Sequence, residues 1–511
     1  MHSRPHVLLV TADHWPAALL GAAGHPCIET PTLDELARCG TRFTNAYSEC
    51  PVCIPARRTL LTGMAPRSHG DRTFQTTLEL PDATTIATAF RDAGYQAYAV
   101  GKLHVFPQRA RAGFDEVILA EEGRPHWGVW DDYDIFLGEQ GFAGRQFDHG
   151  MSNNQYAARP WHLPEYCHVT NWSSREMAKV IRRRDPTRPA FWHLSYTHPH
   201  PPLVPLQHYW DVYRDKDPPW PVHGDWAPVE WAAGNPPASG GQSALGPAPF
   251  RLQQQYHSTH VAGRDEVRTA LRAFYALCTH IDHQLRLVIG TLREEQLLDD
   301  TIILFSADHG DLLGAHGLWM KRLFLEGSAN VPMILVGAKS AGNVVEGAVD
   351  KRLVGWQDIM PTLLSMTGIE VPSSCDGVSM VGETRREFLY GECNEGDGAT
   401  RMIHDGRHKL LYYPAGNVVH LFDLENDPNE LHDLSGEAAH RETRERLTRW
   451  LIESLYGTDL EWIQDGKLAG RPHRDCPPMP NRGLSLQRGI HWPPAPVHPP
   501  RRGETNSGTN Q

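Results

Sequence analysis

The stretch Thr301-Ile302-Ile303-Leu304-Phe305-Ser306-Ala307-Asp308-His309-Gly310-Asp311 runs from an apolar, strand-like segment straight into residues able to do chemistry. A long amphipathic helix is expected ahead of it, from about Arg264 to Ile289, where apolar residues recur at helical spacing. The same order recurs along the chain. Val7 to Val10 is followed by Asp13-His14, Tyr95 to Val100 by Gly101-Lys102-Leu103-His104, and Phe191 to Tyr196 by Thr197-His198-Pro199-His200. Helices are expected between these strands. Thr30-Pro31 supplies an N-cap and a first-turn proline for Leu33, Leu36 and Ala37 up to Gly40, and a helix from about Ala83 to Ala93 stops at Gly94. Open α/β sheets bind ligands at the carboxyl ends of their strands. The expected fold is therefore α/β, with one large doubly wound mixed sheet flanked by helices and one composite site.

That architecture is assigned to residues 1–380. The Pro-, Gly- and Trp-rich stretch from Asp215 to Gln253 reads as a surface insertion within it. Beyond Cys375 to Glu383, the segments Met402-Ile403, Lys409 to Tyr413 and Val418 to Phe422 look like strands, and Arg441 to Leu455 looks like a closing helix. Residues 381–465 are thus expected to form a smaller C-terminal α+β subdomain, and 466–511 a Pro/Arg-rich extended tail.

With 511 residues the chain is long enough for both units. Hydrophobic residues at 40% and charged residues at 22% are ordinary for a globular protein. A formal net charge of -12 argues against nucleic acid as a partner, and a substrate anion would need a locally positive pocket. The first apolar run is too short for a signal-peptide core, and no later stretch is long and apolar enough to cross a bilayer. Nine cysteines do not suggest a disulfide scaffold, and a cytoplasmic location is expected.

The strongest local signal is Cys50-Pro51-Val52-Cys53-Ile54-Pro55-Ala56-Arg57-Arg58-Thr59-Leu60-Leu61-Thr62-Gly63. Cys53 could be a small apolar residue at a loop-to-helix junction. Cys50 and Cys53 could form a redox or zinc pair, but the other cysteines supply no second pair at similar spacing. The third reading is a resemblance. Cys53-x-Pro55-x-Arg57 with Leu60-Leu61-Thr62-Gly63 resembles the signature of the sulfatase family, whose cysteine a maturation enzyme oxidises to formylglycine.

The resemblance extends through Asp13-His14, Gly101-Lys102-Leu103-His104, Pro199-His200-Pro201-Pro202, Asp308-His309-Gly310-Asp311 and Gly317-Leu318-Trp319-Met320-Lys321. Glu326-Gly327-Ser328, Val331-Pro332-Met333-Ile334 and Leu421 to Pro428 continue it in the family's order. It implies an alkaline-phosphatase-like fold and hydrolysis of a small-molecule sulfate ester. Formylglycine at Cys53 would be the nucleophile, held by Arg57, and Lys102 and Lys321 would take the sulfate oxygens. Asp13, Asp308 and His309, with His14 and the modified Cys53, would bind one divalent metal. Asp308 would also help deprotonate the nucleophile. His200, with Lys321, would protonate the leaving oxygen, His198 being the fallback, and His104 would be the base that expels sulfate. Each residue alone has a structural alternative: an N-cap for either aspartate, a solvated charge for either lysine, and any one of 29 histidines for His200.

Two departures bear on the chemistry. His14 stands where the family usually carries Asp or Gln, and His309 where calcium-binding members carry Asn. Imidazoles suit manganese or zinc better than calcium, which shifts the expectation away from a purely calcium site; calcium or manganese is still expected ahead of zinc or magnesium. The Asp-His pair also resembles the choline sulfatase and phosphonate monoester hydrolase branch, which makes a phosphonate monoester or phosphodiester hydrolase the alternative. Lys102 and His104 favour sulfate. A catalytically silent relative that binds metal or sulfated ligand is the reading from another class. Trp127, Trp130 or Trp319 could stack on the substrate. The tail suggests a homo-oligomer.

Overall fold

The protein is described from a computed structural model covering residues 4–122, 129–151, 154–227, 249, 252, 263–341 and 344–473. The strands of the main sheet are β1 (His6–Asp13), β2 (Thr41–Tyr47), β3 (Gln96–Gly101), β4 (Glu116–Leu119), β5 (Ala190–Pro199), β6 (Thr301–Ala307), β7 (Met333–Val336) and β8 (Ala348–Gly355). They lie side by side in the order β4-β3-β5-β1-β6-β7-β2-β8. β7 runs antiparallel to both neighbours and every other pair is parallel. Val7 to Val10 and Ile302 to Phe305 are buried throughout, as unbroken apolar runs are when helices cover a central strand on both sides.

Register brings the motifs together. Thr11 of β1 pairs with Ser195 of β5 and Ser306 of β6, and Asp13 pairs with Pro199. Asp308 N then donates to the Ala12 carbonyl at 3.2 Å. Residues leaving β1, β5 and β6 are therefore level at one edge, with those leaving β3 beside them.

Helix α1 (Pro31–Cys39) starts after Thr30, but the Thr30 side chain does not cap it. Its hydroxyl instead accepts from Gly21 N and donates to Asp34. The open N–H groups of Thr32 and Leu33 go to the carboxylate of buried Asp282, at 3.0 and 2.8 Å, on the long helix Arg264–Glu294. Gly40 follows α1 and leaves no room for a side chain, since a Cβ there would lie 2.2 Å from the Leu335 carbonyl oxygen. Thr85 is a working cap, accepting from Thr88 N ahead of helix Ile86–Asp92.

A four-stranded antiparallel sheet follows, β9 (Leu389–Cys393), β10 (Thr400–His404), β11 (His408–Tyr413) and β12 (Val418–Asp423), ordered β12-β11-β10-β9. Ile403, Leu410 and Leu421 form an apolar cluster with Leu447 and Leu451 of helix Arg441–Ser454. Met402, Leu411 and Phe422 belong to another, with Tyr47 and Phe324. Glu392 N also donates to the Glu49 carbonyl at 2.8 Å, tying β9 to the loop before Cys53.

Two expected loops carry structure. Trp226 of the 215–253 stretch packs on His316, His420 and Phe422, while most of that stretch lies outside the described residues. The boundary placed at 465 falls inside a hairpin, Ile463–Gln464 against Lys467–Leu468, and Arg471 of the segment assigned to the tail bonds Asp397 and the Pro414 carbonyl. Its remainder and Trp127 also lie outside the described residues. Among the described residues no helix is long and apolar enough to cross a membrane.

Candidate active site

Helix α2 (Cys53–Thr62) begins at Cys53, and all ten of its residues are buried. It stops at Gly63, whose φ of 66° favours glycine and whose added Cβ would meet Cys375 Sγ at 2.5 Å. The Leu-Thr-Gly part of the motif therefore shapes and ends the helix. Cys53 sits in its first turn, where unpaired N–H groups favour negative charge. Lys321 Nζ lies 2.8 Å from Cys53 Sγ, His309 Nε2 3.4 Å and Asp13 Oδ1 3.8 Å. Burial and Asp13 push the thiol pKa up, but Lys321, Lys102 and His200 outweigh them and bring it to about 6.

Arg57, one helical turn on, is buried and almost fully engaged. Nε donates to Asp308 Oδ2 at 2.9 Å, and Nη1 donates to the Lys102 carbonyl at 2.7 Å and Ser195 Oγ at 2.8 Å. Nη2 has no hydrogen-bond partner among the described residues and stands 3.8 Å from Asp13 Oδ2. Asp308 Oδ1 accepts from His309 N at 3.0 Å. Burial and Asp13 push the Asp308 carboxyl up to about 6, against His309 and Arg57. Burial also opposes ionised Asp13, yet Lys102, His200, Lys321 and His14 hold it well below the usual carboxylate range.

The two imidazoles are oriented from behind. His309 Nδ1 donates to the Gly310 carbonyl at 2.9 Å, and His14 Nδ1 donates to Asp311 Oδ2 at 2.9 Å. Asp311 is itself held by Tyr156, Leu313 N and Met320 N. With Nδ1 carrying the proton, Nε2 of each ring faces the site, where His14 Nε2 accepts from Lys321 Nζ. Burial and Lys321 push the His14 pKa well below its ordinary range, and burial takes His309 down to about 4, so both rings are neutral. Asp13, His14, Cys53 and His309 each offer a ligand atom, all within 4.8 Å of one another. Neutral imidazoles, an ionised carboxylate and backing hydrogen bonds fit a divalent cation. Asp308 adjoins this group, 3.6 Å from His309 Nε2, with one oxygen committed to Arg57.

On the other flank, Lys102 Nζ donates to both Asp13 Oδ2 and Glu122 Oε1. His104 Nε2 lies 3.7 Å from Glu121 Oε2 and 3.8 Å from Glu122 Oε2. Glu121 Oε1 accepts from the N–H groups of Leu103 and His104, at 2.8 and 3.0 Å. Burial pushes its pKa up to about 7 despite these bonds. His200 Nδ1 donates to the Pro201 carbonyl at 2.6 Å, and the ring interacts with the Cys53 thiol.

All ten expected residues therefore join one linked cluster: Asp13, His14, Cys53, Arg57, Lys102, His104, His200, Asp308, His309 and Lys321. His198 packs instead against His168 and donates to the His200 carbonyl, so it supports His200 from behind. Trp319 is buried edge-on against Tyr156, which makes it core, while Trp130 is half exposed. Cys50 turns to the Arg72 carbonyl and is not among the clustered ligand atoms. Glu121, Glu122 and Asp311 were not anticipated as site residues. Their signal was the one used elsewhere, acidic residues just after an apolar strand. His14, His104, Glu122 and Met320 all have φ between 56° and 70°, a left-handed backbone that costs about 1–3 kcal/mol per residue and gathers at functional sites.

The family model for sulfatases matches residues 5–369, which contain every residue of this cluster. The chain belongs to the sulfatase family. A model for the C-terminal part of N-sulphoglucosamine sulphohydrolase matches residues 314–455. An arylsulfatase of Clostridium perfringens (strain 13 / Type A) is 33% identical over 486 residues, covering 91% of this chain and 97% of that protein. A choline-sulfatase of Rhizobium meliloti (strain 1021) is 30% identical over 450 residues, covering 84% and 82%. The crystal structure of a phosphonate monoester hydrolase of Agrobacterium radiobacter superposes with a TM-score of 0.73 at 21% identity, over 92% of this chain and all of that one, and shows the shared fold. The chain is a sulfuric ester hydrolase on an alkaline-phosphatase-like α/β framework.

Proposed function

We propose that hydrolysis of a sulfate monoester to an alcohol or phenol plus sulfate proceeds at Cys53, after a maturation enzyme has converted it to formylglycine. One divalent cation would be held among Asp13, His14, Asp308 and His309. The observation that carries this is the convergence of Lys321, His309 and Asp13 within 3.8 Å of one buried sulfur at a helix start. Formylglycine supplies, as its hydrate, an oxygen nucleophile at that point. A divalent cation offsets the charge of ester and nucleophile and makes a hydroxyl beside it more acidic. Two neutral imidazoles count against a purely calcium site and favour manganese over calcium.

The chain's own groups divide the remaining work. Arg57 fixes Asp308 and keeps Nη2 for the nucleophile's oxygen. Lys102 and Lys321 meet the sulfate oxygens as point charges. With His200 Nδ1 tied to Pro201, Nε2 is the atom from which a proton reaches the leaving oxygen. His104, held by the Glu121 bonds, takes up a proton as sulfate departs.

A phosphonate monoester or phosphodiester hydrolase is the second reading, favoured by the Asp308-His309 pair. Lys102 and His104, both buried beside the nucleophile's cluster, support sulfate instead. Comparing kcat/KM for aryl sulfate, phosphodiester and phosphonate monoester decides between them. A higher value for either phosphorus ester would overturn the sulfate assignment. We also propose that residues 381–465 are a C-terminal subdomain and that the arm after them joins copies of the chain. Sedimentation of full-length protein as a monomer would remove the second proposal.

A further inference from the structure

Glu122 lies at the centre of the cluster, and the chemistry described above gives it no work. It is buried, follows the edge strand β4, and adopts a φ of 60°. Oε1 accepts from the Lys102 ammonium and lies 3.7 Å from His200 Nδ1. Oε2 lies 3.8 Å from His104 Nε2. Its neighbour Glu121 acts differently, through the backbone N–H groups of Leu103 and His104, and is anchored by Asp131, which accepts from Glu121 N at 2.6 Å. One carboxylate of the pair thus shapes the loop and the other meets its side chains.

We propose that Glu122 is a positioning residue for the hydrolysis, acting through His200, whose Nδ1 edge it faces with the same oxygen that accepts from Lys102. Lys102 already has a counter-charge in Asp13, so charge balance alone does not call for a second carboxylate there. Burying one is costly unless its oxygens are used, and those of Glu122 face Lys102, His200 and His104. A carboxylate facing the Nδ1 edge of an imidazole favours the tautomer that carries its proton there and helps hold the ring plane, so that Nε2 points where the proton must go. The Pro201 carbonyl takes the Nδ1 proton at 2.6 Å, and Glu122 adds a carboxylate 3.7 Å from the same nitrogen.

The inference rests on His200 as the group that protonates the leaving oxygen, so the test separates the two. A misplaced acid harms poor leaving groups most, because they need the proton before the bond can break. Glu122→Gln keeps the shape and removes the charge, whereas Glu122→Asp keeps the charge and shortens the reach. Each is assayed on 4-nitrophenyl sulfate and on hexyl sulfate, with His200→Gln alongside. Glu122→Gln should lower kcat about 100-fold on hexyl sulfate and about tenfold or less on the nitrophenyl ester, with KM moving less than about threefold. Glu122→Asp should recover part of the loss, and if Glu122→Gln does not fold it carries the test with a smaller gradient of the same sign. Equal loss on both esters, or kcat within twofold of the parent, overturns the role of Glu122. If His200→Gln also shows no gradient, the assignment of His200 falls first and the inference with it.

Discussion

Gly101 is where a single methyl group should cost both stability and turnover. It pairs with Ser195 across β3 and β5, has a φ of 104°, and an added Cβ would lie 1.9 Å from the Ser195 carbonyl oxygen. Cβ atoms essentially never approach within 3.0 Å, so that carbonyl must retreat by about 1 Å or the strands must part. The positive φ costs about 1–3 kcal/mol in a residue with a side chain. Forcing the packed neighbour aside adds about 1–3 kcal/mol. Gly101→Ala should therefore destabilise by about 2–6 kcal/mol. Lys102 N donates to the same Ser195 carbonyl, and Arg57 bonds the Ser195 hydroxyl. The shift thus reaches both, and a misplacement of about 1 Å can lower turnover by about 100-fold. Gly94→Ala is the control, since its φ of 94° is similar but an added Cβ meets nothing among the described residues within 4 Å. It should lose only the conformational part and keep its activity. The assay is 4-nitrophenyl sulfate turnover with thermal unfolding of both variants. Gly101→Ala with parental turnover and a melting point no lower than Gly94→Ala would refute the reasoning.

Three further outcomes follow from other parts of the molecule. Exhaustive chelation should abolish turnover, and manganese should restore it better than calcium; full recovery with calcium alone would contradict the argument from His14 and His309. Asp282→Ala leaves the Thr32 and Leu33 N–H groups without their acceptor and should cost about 2–4 kcal/mol in denaturant unfolding, a loss under about 1 kcal/mol counting against its capping role. Burial, then Asp358, pushes Glu49 up to about 8, so it is neutral in the fold and ionised when unfolded at neutral pH. The stability it contributes is complete below about pH 4.5, falls as pH rises and is lost above about 8, and unfolding measured across that window should show a slope that Glu49→Gln flattens.

The central strands were legible because they are buried on both sides, and an unbroken run such as Ile302 to Phe305 stands out without alternation. The chemistry was legible for a related reason: β1, β3, β5 and β6 end level, so residues just beyond them meet. The sheet's margins were harder to read. β4 is four residues long and mostly half-exposed, and it went unread together with Glu121 and Glu122 behind it. β8 begins as alternating half-exposed and exposed residues before turning inward at Leu353. β7 is only four residues, and its antiparallel direction depends on partners remote in the chain. The cap on α1 was misread because Asp282, some 250 positions away, supplies what Thr30 was expected to supply. The hold of Asp311 on His14 was likewise invisible, since it depends on how the loops after β1 and β6 turn toward each other.

Conversion of Cys53 is the central claim, and mass spectrometry of the peptide bearing it, from protein made in its native host, tests it most directly. Formylglycine at position 53 is the predicted result, with Cys53→Ala folded but inactive on every sulfate ester. An unmodified thiol at position 53 in fully active protein would contradict the account.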